Sequence, residues 1–255
     1  MLKRQRGKLP VFVFDFGGVM IKWKNNYPIY DSIAERYGIP KTKLRRVLDL
    51  DLPRLEAGEV SIRGYLTEGL ARFEMRLRRG DLAEELWTEP FARLVRPRAG
   101  TVRLVESLRR DGYRVYLFSN TSMPHVRFLK RSGWDGLFDG ILTSCELGSC
   151  KPRPTAFRRA LEKIGAAPSD VVFVDDKEEN VIGAKEFGVR WGLRFTSTKA
   201  LKREVAALLS TSPKARPKVD SSSSSRRGRA VPRQSRRVEE PSQADQDQST
   251  DGLEA

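Results

Sequence analysis

Six residues with the means to do chemistry stand at intervals along the chain: Asp15, Ser119 with Asn120, Lys151, and the pair Asp175 and Asp176. Most of them close short β-branched or aromatic runs. Asp15 ends Val11-Phe12-Val13-Phe14 and opens Phe16-Gly17-Gly18-Val19, while Ser119-Asn120 follows Val115-Tyr116-Leu117-Phe118. Lys151 lies in Cys150-Lys151-Pro152, and Asp175-Asp176 closes Val171-Val172-Phe173-Val174. Brought to one place, they supply carboxylates, an ammonium, a hydroxyl and an amide, a set suited to phosphoryl transfer from a monoester. Carboxylates beside a backbone carbonyl make a hard oxygen site for Mg2+, and the cation and a lysine offset phosphate charge beside an anionic nucleophile. Asp15 is the candidate nucleophile, by way of an aspartyl phosphate. Gly17 and Gly18 keep the loop open, so that its backbone N–H groups approach phosphoryl oxygens.

The elements that must position these residues are legible as periodicity. Strand-like runs at 10–14, 113–118, 140–143, 171–174 and 189–195 alternate with amphipathic stretches such as 101–110 and 155–164. Continuous apolar strands between helices predict an α/β fold with a doubly wound parallel sheet, in which strand carboxyl ends share one mouth. From Ile21 to Arg96 the period is helical throughout, with helices expected at 29–37, 41–50 and 61–79 and with Pro40 and Pro53 as breaks. The chain is therefore read as a core of residues 1–20 and 97–210, a helical cap of 21–96 inserted over the mouth, and a disordered tail of 211–255. That last segment has no aromatic residue, contains Ser221 to Ser225, and passes from Arg-rich to acidic.

Composition narrows the class. With 48 Lys and Arg against 33 Asp and Glu, the formal charge is +15. Such a field attracts anions, phosphorylated metabolites among them, without naming one. No apolar run reaches the roughly 18 residues of a membrane-spanning helix, so no membrane partner is expected. The basic start Lys3-Arg4-Gln5-Arg6 precedes an apolar stretch that Asp15 interrupts, which argues against a secretory signal and for a cytoplasmic protein. Cys145 and Cys150 are read as reduced thiols without a closed zinc site. The arginines at 45, 46, 72, 76, 78 and 79 are read as a solvated face rather than a specific nucleic-acid surface, since no nucleic-acid-binding motif accompanies them.

The four ordered motifs resemble the haloacid dehalogenase superfamily, most closely its helical-cap phosphatases with an Asp-x-Gly-x-Val first motif, as in α-glucose-1-phosphate phosphatases. The resemblance covers about residues 9–200. It implies a Rossmann-like core with Asp15 as nucleophile, Ser119 with Asn120 and Gly18 on the phosphoryl group, and Lys151 stabilising charge. It also implies Mg2+ held by Asp15, the Gly17 carbonyl, Asp175 and Asp176, with Asp176 the direct ligand of the acidic pair. Asn180 fits the way the family ends this loop. One departure stands out, because most phosphatases of the superfamily carry a second Asp where this chain has Gly17. The expected activity is Mg2+-dependent hydrolysis of a small phosphomonoester, with a sugar phosphate as the candidate substrate. The alternatives are a 2-haloacid dehalogenase-type hydrolase, against which the acidic pair counts, and a catalytically weak protein that binds a phosphorylated ligand.

Other residues take plainer readings. His125, the only histidine, is expected on a solvated helix face. Cys150 is expected to be an unreactive thiol despite adjoining Lys151. Trp23, Tyr27, Tyr30, Tyr65 and Phe73 are expected mostly to pack the cap helices together.

Overall fold

The computed structural model describes residues 9–23 and 25–211. The basic start and nearly all of the charged tail lie outside the described residues. Five parallel strands form one sheet: β1 (Val11–Phe14), β2 (Val115–Ser119), β3 (Gly140–Thr143), β4 (Val171–Asp175) and β5 (Trp191–Arg194), in the order β3-β2-β1-β4-β5. Successive side chains of a strand face opposite ways, and the two faces bury separate cores. Phe12, Phe14, Leu117, Val172 and Val174 join one cluster, whereas Val11, Val13, Phe118 and Phe173 join the other. Both faces are covered, which explains why these strands read as unbroken apolar runs.

The helices run α1 (Tyr27–Tyr37), α2 (Lys41–Glu56), α3 (Ile62–Ala71), α4 (Ala83–Leu94), α5 (Ala99–Arg110), α6 (Met123–Arg131), the single turn α7 (Ser144–Leu147), α8 (Pro154–Ile164), α9 (Glu178–Glu186) and α10 (Thr198–Thr211). α5 and α10 cover the first face with Val102, Val105, Leu108, Leu201 and Val205. α8 covers the second through Ala156, Phe157, Ala160, Leu161 and Ile164. Among the described residues, no helix is long and apolar enough to cross a membrane.

Helices α1 to α4 all fall between β1 and α5. The chain enters and leaves them side by side, since Ile21 forms an antiparallel bridge with Pro97 and the Arg98 N–H donates to the Met20 carbonyl at 2.8 Å. Two boundaries differ from the expectations. The helix expected at 61–79 starts after the capping Ser61 but stops at Ala71, where Glu74 takes a left-handed φ of 58° and the Met75 N–H reaches back to the Leu70 carbonyl at 3.1 Å. That closure satisfies the last carbonyls without further turns. The helix expected to break at Pro53 instead continues to Glu56. A proline so near the end removes one N–H bond, and the burial of Leu48 and Leu55 holds the helix together across it.

Candidate active site

Asp15, Ser119 and Asp175 reach one mouth because parallel strands point their carboxyl ends the same way, and β4 lies on the opposite side of β1 from β2. Lys151 arrives from the segment after α7. Its Nζ donates to Asp15 Oδ1 at 2.7 Å, to Asp175 Oδ2 at 2.7 Å and to the Phe118 carbonyl at 2.8 Å, which uses all three ammonium hydrogens. The side chain is 1% exposed and lies over the Phe118 and Phe173 rings.

The two neighbouring aspartates are treated unlike each other. Asp175 is fully buried, and its oxygens accept from Lys151, from the Lys177 N–H at 2.9 Å and from Asn180 Nδ2 at 3.0 and 3.1 Å. Asp176 is half-buried and draws no side-chain donor among the described residues. It stands against Gly18, where a Cβ would lie 2.0 Å from Asp176 Oδ2. Gly18 also has a φ of 75°, so both its conformation and the close carboxylate demand glycine there. Arg98 Nε donates to the Gly18 carbonyl at 3.0 Å and pins the loop.

Carboxylate oxygens of Asp15, Asp175 and Asp176 lie within 4.8 Å of one another. Burial raises the Asp15 carboxyl to about 7, with Lys151 opposing and Asp175 and Asp176 adding to the rise. Asp176 is raised by burial and then by Asp175. Burial works against the Lys151 ammonium, but Asp15 and Asp175 outweigh it and raise its pKa. Three carboxylates against one bonded ammonium leave the cluster short of positive charge, and a divalent cation with hard oxygen preference fits that deficit.

The remaining expected residues are also present, in altered parts. Ser119 lines the cavity, and its hydroxyl makes, among the described residues, one long bond of 3.3 Å to the Asn120 carbonyl. Asn120 spends its side chain differently from the expectation: Nδ2 donates to the Lys151 carbonyl, and Oδ1 accepts from the Lys151 N–H, both at 2.9 Å. Its amide thus straps two loops together and sets the height of Lys151. Asn180, buried beneath Asp175, orients that carboxylate.

Above the cluster is a cavity of about 250 Å³. Its wall includes Trp23 and Tyr27, Asp49, Leu52 and Glu56 of α2, Trp87 and Phe91 of α4, and His125 of α6. Tyr30 and Tyr65 are core residues instead, bonded to each other at 3.3 Å, so the aromatic residues divide between packing and lining. His125 is not solvated: it is 5% exposed and stacks on Phe91 at 3.8 Å between centroids and on Trp87 at 5.7 Å. Its Nε2 is buried without a hydrogen-bond partner among the described residues, and burial lowers its pKa to about 3, so the ring is neutral near pH 7. Burial raises the Cys150 thiol to about 11, so the thiolate is scarce near pH 7. Arg45 and Arg72 of the basic face are paired with Asp31 and Asp51.

Sequence reasoning missed Glu56, Trp87, Phe91 and the inward position of His125. Only the helical phase past Pro53 pointed to Glu56; Trp87 and Phe91 at i and i+4 marked one helix face without saying what it covers.

Comparison with known proteins agrees with this geometry. The family model of haloacid dehalogenase-like hydrolases matches residues 9–188. The sesquiterpene phosphatase AstK of Aspergillus oryzae is 35% identical over 117 residues, which are 45% of this chain and 59% of that protein's length. A HAD-like family hydrolase from Porphyromonas gingivalis superposes with a TM-score of 0.61 at 26% identity, over 77% of this chain and 98% of that one. A HAD family enzyme from Bacteroides thetaiotaomicron, solved with magnesium and inorganic phosphate, shares the fold at a TM-score of 0.57 and 21% identity, over 71% of this chain and 92% of that one. With the family match extending over more than half its length and the motif residues gathered at one mouth, the chain belongs to the haloacid dehalogenase-like hydrolases.

Proposed function

We propose that this protein is a Mg2+-dependent phosphatase of a small phosphomonoester, acting through an aspartyl phosphate on Asp15. The observation that carries the reading is the meeting of three carboxylates within 4.8 Å with Lys151 Nζ 2.7 Å from Asp15, at the floor of a cavity. Asp15, Asp176 and the Gly17 carbonyl would hold the cation, and Asp175 completes the acidic cluster while fixing Lys151. When bound, Mg2+ supplies positive charge to the phosphoryl oxygens. Asp15 Oδ2, free of the Lys151 bond that occupies Oδ1, is the oxygen that attacks phosphorus. Ser119 and the Gly18 backbone orient the phosphoryl oxygens, and Lys151 steadies the charge that builds on them. Residues 21–96 act as the cap that excludes water and selects the substrate, around a core of residues 1–20 and 97–210.

The cavity wall bears on the leaving group. Trp23, Tyr27, Leu52, Trp87 and Phe91 present carbon to the space above the cluster. That surface favours an apolar or unsaturated group over a sugar, in keeping with a relative that is a sesquiterpene phosphatase, whereas the Asp-x-Gly-x-Val loop favours the sugar phosphate. The acidic pair speaks for phosphate over haloacid.

The test is phosphate release from p-nitrophenyl phosphate, a prenyl monophosphate and a set of sugar phosphates, each with Mg2+ and with EDTA. Mg2+-dependent release is expected, and Asp15→Asn should reduce it by at least ~10⁴-fold, since the nucleophile is removed. Phosphate binding without release by the folded wild type would replace this reading with that of a ligand-binding protein. Chloride release from a 2-haloacid without Mg2+ would replace it with dehalogenation.

A further inference from the structure

Monoester hydrolysis moves protons that the residues of the acidic cluster are badly placed to carry. The oxygen leaving phosphorus must gain a proton, and the water that frees the enzyme must lose one. Asp15 is occupied as nucleophile, Asp175 is bound by Lys151, Lys177 and Asn180, and Asp176 serves the cation. Position 17 is glycine and offers no carboxylate, and a Cβ there would stand 3.1 Å from Trp23 Cδ1, so the indole would have to give way to any side chain. His125 stays neutral far below pH 7, and Asp49 is exposed.

Glu56 differs from all of these. It occupies the last turn of α2 and lines the same cavity as Asp15, Ser119 and Lys151. Its backbone is seated on the segment that delivers Lys151: the Cys150 thiol faces the Pro53 carbonyl at 3.9 Å, and a Cβ on Gly58 would lie 2.5 Å from the Cys145 carbonyl oxygen. Leu55 and Ala57 are buried on either side. Burial raises the Glu56 carboxyl to about 7 against the pull of Lys177 and Lys151, so both its forms are present near neutrality. The other titratable groups that feel it are Cys150, Tyr30 of α1 and Tyr65 of α3, all raised and neutral there, with Asp49 two turns back on α2.

We propose that Glu56 is the acid-base residue of the reaction, an inference that rests on the phosphatase reading above. As Asp15 Oδ2 bonds to phosphorus, the bond to the leaving oxygen breaks, its electron pair stays on that oxygen, and the Glu56 carboxyl protonates it to give the alcohol. The Glu56 carboxylate then takes a proton from water, whose oxygen attacks the aspartyl phosphate. The phosphorus–Asp15 bond breaks, Asp15 regains its carboxylate, and inorganic phosphate and protonated Glu56 remain. The roles are successive, as acid and base must be in one cycle.

The test compares Glu56→Gln with wild type on two substrates that differ in their need for a proton: p-nitrophenyl phosphate, whose phenolate leaves readily without one, and an alkyl phosphate, whose alkoxide does not. The expected result is a loss in kcat of about 100-fold or more on the alkyl ester. On the aryl ester, p-nitrophenol should appear as a burst of about one equivalent followed by slow turnover, because base removal stalls hydrolysis of the aspartyl phosphate. An equal loss on both esters without a burst would assign Glu56 a structural role and overturn the proposal, as would no loss on either. The wild-type and Asp15→Asn arms separate the two failures, since an active wild type silenced by Asp15→Asn keeps the phosphatase reading whatever Glu56 does.

Discussion

At the strand ends, Lys151 and Asp175 are 1% and 0% exposed, and each of their charged atoms meets a hydrogen-bond partner. On the opposite wall of the same cavity, Trp23, Tyr27, Leu52, Trp87 and Phe91 offer carbon, and His125 leaves Nε2 without a partner among the described residues. The first region is a closed network in which removing any member exposes a buried charge. The second is held by stacking and area burial, which tolerate changes of shape more readily than changes of charge. The charge network at the strand ends therefore has little freedom to vary, while the aromatic part of the helical wall has room to change its shape.

This contrast is open to attack, first and hardest at Lys151. Replacing it with Met leaves Asp15 and Asp175 buried and repelling each other, so the variant should lose about 3–5 kcal/mol in urea unfolding along with its activity. A loss below ~1 kcal/mol would show that the network is not the closed unit its hydrogen bonds suggest.

The wall opposite is tested by pH. An unfolded His125 binds a proton below its ordinary value of 6.5, whereas the folded ring takes none until about pH 3. Between those values acid favours the unfolded chain, and stability should fall by about 1.4 kcal/mol per pH unit from this residue alone. His125→Phe, which keeps a ring between Trp87 and Phe91, should flatten the slope between pH 6 and 4 by that amount. An unchanged slope would mean that water reaches the ring.

The smallest effect on stability is expected at Asp176, which no side chain among the described residues holds. Asp176→Asn without Mg2+ should stay within ~0.5 kcal/mol of wild type, because it removes a carboxylate repelled by Asp175. The increase in Tm that Mg2+ gives the wild type should disappear in the variant. Retention of that increase would move the cation away from Asp176.

Much of the site was legible before the structure. Asp15, Ser119, Asp175 and Asp176 could be picked out because each sits where an apolar run stops, and Lys151 because it follows the third such run; a parallel sheet gathers such ends at one mouth. Asn120 could be located but not given its part, since adjacency to Ser119 does not reveal that its amide bonds to both backbone groups of Lys151. His125 was misread because its neighbours in sequence describe a helix, whereas its burial comes from Trp87 and Phe91, more than thirty residues away. Glu56 lay hidden behind Pro53, where a local rule predicts a helix end and the tertiary seat on Cys145 and Cys150 lets the helix continue.

The sequence by itself determined the sheet, the family and the order of chemical groups along the chain, because strand periodicity and strand-end position are local properties. Only the tertiary structure decided which helix faces look into the cavity, which carboxylate is bound and which is free, and where a proton donor could come from. Those depend on distances between residues far apart in the chain, and in a close-packed interior a shift of one ångström changes a hydrogen bond into a gap.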